Sequence, residues 1–302
     1  MYKQVNYIAG IDTIEITSPT FTERDTGREL DYFTHDSARI VQRNPDQAPK
    51  YKYRVNPDKT YYDTTTYSGY RSAILYVVED SGLKDTVKTR IDFRFDTYDT
   101  DYFDLFKLNK LVSLLIAEKH NISNRYQSID LKSGELKTAR IQNKYFEIEC
   151  YNKALEEPES GIKCRLELRS KALYDKDSED TKEIRELNKW LKELNEIAAD
   201  RILFNSLTAG TNEYLIDRYK ELTSKGKLKA KDYSKFIIKY EDFIFSRAQL
   251  IDLYTKLGHK SAKTAASKIC KEYNIELFKL KDLQGYVNQI EQAAAQFMEK
   301  TE

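Results

Sequence analysis

Thr89-Arg90-Ile91-Asp92-Phe93-Arg94-Phe95-Asp96 alternates without a break. In an extended chain Ile91, Phe93 and Phe95 point one way, and Asp92, Arg94 and Asp96 point the other. Such a strand has an apolar face to bury and an ionisable face to present. Two later stretches repeat the pattern. Residues 145–152 set Phe146, Ile148 and Cys150 against Tyr145, Glu147, Glu149 and Tyr151. After a turn of Pro, Glu, Ser and Gly, residues 163–169 set Cys164, Leu166 and Leu168 against Arg165, Glu167 and Arg169. Between the first stretch and the second the period becomes helical. Leu105, Leu108, Leu111, Val112, Leu115 and Ile116 form one apolar stripe over 102–120, suited to packing on the three strands.

Outward from this nucleus the first part reads as β-rich. Residues 11–16, 51–55, 61–67 and 73–78 are strand candidates, rich in Tyr, Thr and Val and separated by Asn-Pro-Asp or Ser-Gly turns. Residues 20–50 are polar and weakly periodic, and read as loop with some helix. Beyond residue 175 strand signals stop. Residues 177–180 suit a helix start, and Ile184, Leu187, Leu191, Leu194 and Ala198 recur at helical spacing. Shorter helices are expected at 212–223 and 231–244, around a lysine-rich loop at 224–229. Ser246 suits the cap of a helix carrying Leu250, Ile251, Leu253, Tyr254 and Leu257. Gly258 suits a turn, and Ser261 the cap of a second helix over 262–273, with Ala265, Ala266, Ile269 and Cys270 turned inward. Residues 277–300 read as a last helix, whose Phe297 and Met298 suit the core or a homodimer contact alike. The expected class is therefore α+β. It comprises an N-terminal antiparallel sheet with a packed helix, then a helical region with helix-turn-helix character. Two domains follow, 1–175 and 176–302.

The 302 residues are 40% hydrophobic and 33% charged. No uncharged apolar stretch approaches the roughly 20 residues that span a bilayer, and residues 1–6 carry no apolar leader core. Cys150, Cys164 and Cys270 follow no C-x-x-C spacing, which fits a reducing cytoplasm. His35, His120 and His259 are too scattered for a histidine metal site. The net charge of +1 hides an asymmetry. Residues 218–271 hold fourteen Lys and Arg against five Asp and Glu, and the remainder is net acidic. That distribution marks a nucleic-acid-binding module joined to something else, although solvated lysine-rich helices share it. In the second helix of the hairpin Lys263, Lys268 and Lys271 point outward, beside Lys256, His259 and Lys260 near the turn. A second helix so equipped can enter a major groove, its lysines positioning on phosphates and Ser267, Thr264 or Lys263 reading bases.

If the three alternating strands are neighbours, Asp92, Asp96, Glu149, Glu167 and Tyr151 share a surface. Asp92 and Asp96 are then roughly 13 Å apart, so a cation would join one of them to an acid on the next strand. Carboxylates favour Mg²⁺ or Mn²⁺, which would polarise a phosphodiester. A tyrosine beside the cation could attack phosphorus. Its phenol has an ordinary pKa of about 10, and a metal or Lys153 nearby would favour the phenolate. The same charged face is also what a one-sided sheet turns to water. Composition selects no tyrosine among 23, and Tyr51, Tyr53, Tyr61, Tyr62 and Tyr67 read as strand residues or base-stacking platforms.

Residues 89–96 resemble the R-[IL]-D-x-x-x-D strand of rolling-circle replication initiators of the Rep trans family, which includes plasmid initiators and conjugative-element relaxases. Ile148-Glu149-Cys150-Tyr151-Asn152-Lys153, with Glu156 after it, is similar to that family's I-x-x-Y-[DE]-K-x-x-E segment. Cys164-Arg165-Leu166-Glu167-Leu168-Arg169 is similar to its R-x-E-x-R/L strand. Filamentous-phage nicking proteins have a similar motif order, and Ile11-Asp12 resembles the I-D of the first strand in such proteins. The resemblance covers about residues 10–172. It implies Tyr151 as nucleophile, Lys153 on the phosphate, and Asp92 and Glu167 as ligands of Mg²⁺ or Mn²⁺, with Asp96 and Glu149 as further ligands. Asn152 stands where plasmid members carry an acid, and Asp96 is followed by Thr97 rather than a second acid. The implied function is a replication initiator that binds an origin and nicks one strand. The 5′ end stays on tyrosine for rolling-circle replication. A conjugative relaxase uses the same chemistry. No G-x-x-x-x-G-K-[ST] loop is present, so unwinding would fall to a host helicase. The reading from a different class is a non-enzymatic origin-binding initiator or repressor.

Overall fold

The computed structural model describes residues 6–19, 38–43, 51–60, 62–80, 83–98, 102–122, 128–130, 137–171, 173, 182–275 and 277–299. Its strands are β1 (Tyr7–Ser18), β2 (Ala38–Arg43), β3 (Tyr51–Val55), β4 (Val87–Thr97), β5 (Ser128–Asp130), β6 (Lys137–Gln142), β7 (Phe146–Tyr151) and β8 (Cys164–Lys171). Its helices are α1 (Tyr67–Asp80), α2 (Tyr102–Lys119), α3 (Lys153–Glu156), α4 (Lys182–Ala199), α5 (Arg201–Ser224), α6 (Tyr233–Lys239), α7 (Arg247–Lys256), α8 (Ala262–Tyr273) and α9 (Leu280–Glu299). The fold is α+β. Among the described residues no helix is long and apolar enough to cross a membrane.

The strands form one antiparallel sheet in the order β2-β3-β1-β4-β8-β7-β6-β5. The three alternating stretches are thus neighbours, as β4-β8-β7. Their apolar positions Ile91, Phe93, Phe95, Leu166, Leu168, Ile148 and Cys150 are all buried. In β1 the buried isoleucines are Ile11, Ile14 and Ile16. That spacing breaks strict alternation, and the break is a bulge: Ile11 pairs Phe93 and Thr13 pairs Asp92, leaving Asp12 as the extra residue.

Two expected strands are not strands. Residues 62–66 form turns, and 73–78 lie inside α1. Tyr67, Tyr70, Ala73, Ile74 and Val77 are its buried positions, a spacing of three and four that makes a helical face. β-propensity at Ile74, Tyr76, Val77 and Val78 lost to that periodicity, since propensity is a weak term beside burial. Within 20–50, residues 38–43 are strand and the remainder lies outside the described residues, as do 177–180. The helix expected at 212–223 is the C-terminal half of α5, and 231–244 resolves into α6 and a 3₁₀ turn at 241–243.

The chain divides into two compact units of interleaved segments. The sheet unit comprises residues 4–100, 128–192 and 288–302, and the helical unit 1–3, 101–127 and 193–287. The helix expected against the sheet, α2, belongs to the helical unit. It is buried on every side from Leu105 to Ala117, and the Lys110 amine is neutralised there by Asp242 at 2.6 Å. In the sheet unit, Trp190 of α4 donates to the Ser170 hydroxyl at 3.0 Å and meets Phe146 edge-on.

In the helical unit α7 and α8 form the expected helix-turn-helix hairpin. The Ser246 hydroxyl accepts the Gln249 N–H at 3.1 Å and caps α7. Ser261 precedes α8 without a side-chain cap; its own N–H is taken by His259 Nδ1 at 3.1 Å. The turn passes through Gly258 at φ 85°, where a side chain is strained even though no atom lies within 4 Å of a built Cβ. Gly258→Ala is expected to destabilise the protein by about 1 kcal/mol or more, read as a lowered midpoint in urea. An unchanged midpoint would show that the turn does not need glycine.

Candidate functional site

β4 carries Arg90, Asp92, Arg94 and Asp96 on its polar face, and β8 carries Arg165, Glu167, Arg169 and Lys171. Their antiparallel register sets Asp92 opposite Arg169, Arg94 opposite Glu167, and Asp96 opposite Arg165. β7 extends these rows with Glu147 opposite Arg169, Glu149 opposite Glu167 and Tyr151 opposite Arg165. All five residues expected to converge do share this face. It is a buried face. Asp92, Asp96, Glu147 and Glu167 are each 2% exposed and Arg165 is 3% exposed.

Burial of so many charges requires that each be paired, and two arginines organise the pairing. Arg169 is the hub of four carboxylates. It donates from Nε to Glu167 at 2.9 Å and from Nη1 to Glu149 at 2.6 Å, pairs with Glu147, and lies 3.5 Å from Asp92. Arg165 grips Asp96 with two parallel bonds of 2.6 and 2.9 Å and reaches Asp12 at 2.5 Å. The β1 bulge is what aims Asp12 here. Arg90 holds Asp92 through two bonds of 2.7 and 2.6 Å. Arg94 bonds Asp96 at 3.2 Å and crosses Gly10 to reach Asp58 at 2.6 Å. A Cβ on residue 10 would sit 2.8 Å from Arg94 Nε, so glycine is what lets that guanidinium pass.

Within this frame the Tyr151 hydroxyl donates to Glu167 Oε1 at 2.6 Å. Burial, and then the charge of Asp12, push the Glu167 carboxyl up to about 7 against the pull of Arg169 and Arg165. Burial and the Glu167 charge push the Tyr151 phenol well above its ordinary value. Glu147 goes the other way: burial opposes its charge, but Arg169, Lys171 and Arg140 hold it at about 2. Burial raises Asp92 despite its arginines. Lys153 pairs with Glu157 at 2.9 Å and lies 5.8 Å from the Tyr151 ring centre; the charge of Arg165, opposite Tyr151 in the register, favours the ionised phenol but does not outweigh burial and Glu167.

The expected metal ligands Asp92, Asp96, Glu149 and Glu167 are each engaged by guanidinium groups. Among the described residues no three His, Cys, Asp or Glu side chains are grouped to hold an ion. The residues as paired do not fit a resident divalent cation, because Arg169 occupies the space between Asp92 and the acids of β7 and β8. The chemistry that the arrangement does support is proton transfer between a phenol and an adjacent carboxylate of raised proton affinity.

In the helical unit the five lysines expected at DNA divide into groups. Lys263 and Lys271 share a stripe of α8 with Ser267, whose hydroxyl accepts from Arg247 of α7 at 2.7 Å. Lys268 lies on the next stripe, against a hollow shared with α6. Lys256 pairs with Asp252 at 2.9 Å, and Lys260 is exposed in the turn. Arg247 was not singled out by the sequence, and neither were Asp12 and Arg165 as site residues. The odd spacing of isoleucines in β1 was the signal for Asp12.

No family model matches the chain, and no curated protein matches it. The solved structure of a rolling-circle replication initiator protein from Geobacillus stearothermophilus is similar at a TM-score of 0.29 and 12% identity, over 56% of this chain and 76% of that one. A likeness that slight carries no functional inference.

Arg165→Met leaves the Asp96 carboxylate buried without its main partner. Breaking such a pair costs about 3–5 kcal/mol. Adding Asp96→Asn should recover part of it, because the amide carries no charge to orphan. Urea unfolding of the single and double variants measures both. A loss below about 1 kcal/mol would mean that the pair contributes specificity but not stability.

Proposed function

We propose that the protein is a replication initiator that cleaves one strand of DNA with Tyr151 as nucleophile, for rolling-circle replication. The observation that carries this reading is the 2.6 Å bond from the Tyr151 hydroxyl to Glu167. A nucleophile within hydrogen-bond reach of a base, itself oriented by a third group, is the arrangement that activates a weak nucleophile. Here Glu167 is the base, and Arg169 and Arg165 orient it. Glu167 takes the phenolic proton as Tyr151 Oη attacks phosphorus. The bond from phosphorus to the 3′ oxygen breaks, the strand leaves as a 3′ hydroxyl after taking a proton, and the 5′ phosphate stays on tyrosine. Attack by a second 3′ hydroxyl reverses the step and rejoins the strand. The phosphodiester is conserved throughout. The motif order of β4, β7 and β8 and the basic helical unit support DNA as substrate. Division of labour follows the charge distribution, with cleavage in residues 1–175 and duplex binding in 176–302.

One observation favours the alternative of a non-enzymatic origin-binding protein. Tyr151 is only 7% exposed, and every carboxylate around it is paired, as in a network that only holds the sheet together. Covalent capture separates the two readings. With its own origin as a labelled single strand, in buffer containing Mg²⁺ or Mn²⁺, the wild type is expected to form an adduct that survives denaturation. Tyr151→Phe should form none while binding the origin duplex normally. Glu167→Gln should lower the rate by about 10²–10⁴, the usual contribution of a general base. Since the ionised carboxylate is the active form, wild-type cleavage should be full above pH 7 and fall about tenfold per unit below it. Adduct formation by Tyr151→Phe would remove the assignment.

The duplex reading has its own test. Lysines that neutralise phosphates release counterions, at a log–log salt slope of about −0.9 per contact. Replacing Lys263 and Lys271 with Ala should reduce that slope by about two contacts' worth and spare single-strand cleavage. An unchanged slope would make this stripe ordinary solvated surface.

A further inference from the structure

The helical unit contains a hollow of about 400 Å³ between the start of α6 and the outer stripe of α8. That volume lies in the roughly 300–1,000 Å³ range of sites that take small ligands. Its inner wall is aromatic. The rings of Tyr233, Tyr254 and His259 meet edge to face in all three pairings, with centres 5.3 to 6.4 Å apart and planes 65–77° from one another. Mutual edge-to-face contact fixes each ring against the other two. His259 Nδ1 accepts the Ser261 N–H, so the ring proton sits on Nε2, where it is available as a donor. At the rim stands Tyr273, with 45% of its surface exposed.

The polar lining is balanced. Lys231 and Lys268 face it from the basic side, Asp232 and Glu272 from the acidic side, and Thr264 adds a hydroxyl. A site for a bare phosphate would carry an excess of cations. A set with both donors and acceptors around aromatic rings matches a flat molecule whose edge alternates donor and acceptor, as a nucleobase does. The phosphates that flank such a base would find Lys231, Lys235 and Lys260 in the segment of 218–271 that holds the chain's positive excess. Lys268 is thereby separated from Lys263 and Lys271, which share the other stripe with Arg247 and Ser267.

We propose that this hollow takes one unstacked nucleobase, stacked on Tyr273 and hydrogen-bonded at its edge by Lys268, Glu272 and the lining hydroxyls. The inference rests on the reading of the helical unit as DNA-binding and is independent of the cleavage chemistry. Two sources share this chemistry, a base within a DNA strand and a free nucleoside.

The test uses the full chain. The probes are 2-aminopurine in the middle of a thymidine oligonucleotide, free 2-aminopurine deoxyriboside, and a short duplex. The wild type is expected to change the fluorescence of the oligonucleotide probe on binding. Tyr273→Ala, at an exposed position, should weaken oligonucleotide binding roughly five- to hundredfold, the range for removing one stacking ring. Duplex affinity should be unchanged. Ser234→Trp, which fills the hollow from an exposed position of α6, should do the same. Dependence on these residues in the oligonucleotide arm alone identifies the strand as the source. Equal dependence with the free nucleoside identifies the small molecule, and the hollow is a nucleobase site in either case. Oligonucleotide binding that neither variant alters overturns the site while leaving duplex binding intact. A wild type that binds neither single strand nor duplex overturns the DNA reading of this unit, and the site with it.

Discussion

β4 and β8 bury charges of alternating sign on one face, and that burial forbids the nearest shifts of register. A slip of one residue would carry the apolar residues to the polar side, which burial of both faces forbids. A slip of two residues keeps the apolar face intact, so hydrophobic patterning alone cannot prevent it. Charge does. Shifted two residues in one direction, Arg94 would face Arg169 and Asp96 would face Glu167. Shifted in the other, Arg90 would face Arg169 and Asp92 would face Glu167. Like charges opposed in a buried sheet are strongly unfavourable. The observed register opposes unlike charges at Asp92 and Arg169, Arg94 and Glu167, and Asp96 and Arg165, and leaves one like pair, Arg90 and Lys171, where Arg90 is held by Asp92 and Lys171 by Glu147. β7 then docks with Glu149 facing Glu167, a like-charge contact tolerated because Arg169 bonds both.

The same pairing explains how much of the molecule was legible in its sequence. The alternation of 89–96, 145–152 and 163–169 is a strong local signal, and it placed three neighbouring strands and the face shared by Tyr151, Glu149, Glu167, Asp92 and Asp96. Alternation says nothing about solvent, however. A polar face reads as wet from sequence, whereas this one is closed. Its arginines neutralise the acids that would otherwise suit a cation. α1 was misread because Ile74, Tyr76, Val77 and Val78 favour strands by composition, while the burial of Tyr70, Ala73, Ile74 and Val77 follows the helical period. Deep burial of α2 from Leu105 to Ala117 was also hidden, since Lys107, Asn109 and Lys110 look like an exposed stripe until their partners are known.

The guanidiniums that fix the register also set proton affinities unequally. Glu167 is the more deeply buried of two carboxylates on this face, and burial lifts it to about 7, whereas the cations around Glu147 hold that group at about 2. Three cations reach Glu147. Glu167 shares Arg169 with three other carboxylates, lies under the charge of Asp12, and gives one oxygen to a neutral phenol. Environments that separate two carboxylates in this way assign them different work. Glu147 stays ionised and structural, and its contribution to stability is present above the ordinary glutamate value and lost as pH falls toward 2. Glu167 contributes with the opposite sign. Its folded-state value is raised, so folding becomes less favourable as pH climbs from the ordinary value through 7. A group that weakens the fold at neutral pH is an expensive structural part and a suitable proton acceptor.

Charge cancellation in the sheet also determines which surface can hold DNA. Arg90, Arg94, Arg165 and Arg169 are committed to carboxylates in short, buried bonds, and a phosphate could recruit them only by breaking pairs that maintain the register. Affinity for a polyanion must come from cations that lose little on binding, which are exposed and weakly paired ones. Those lie in the helical unit, where Lys260, Lys268 and Lys271 are exposed on or beside α8. In the proposed function, capture of the strand and chemistry on it therefore draw on different sets of charges, one solvated and in excess, the other buried and balanced.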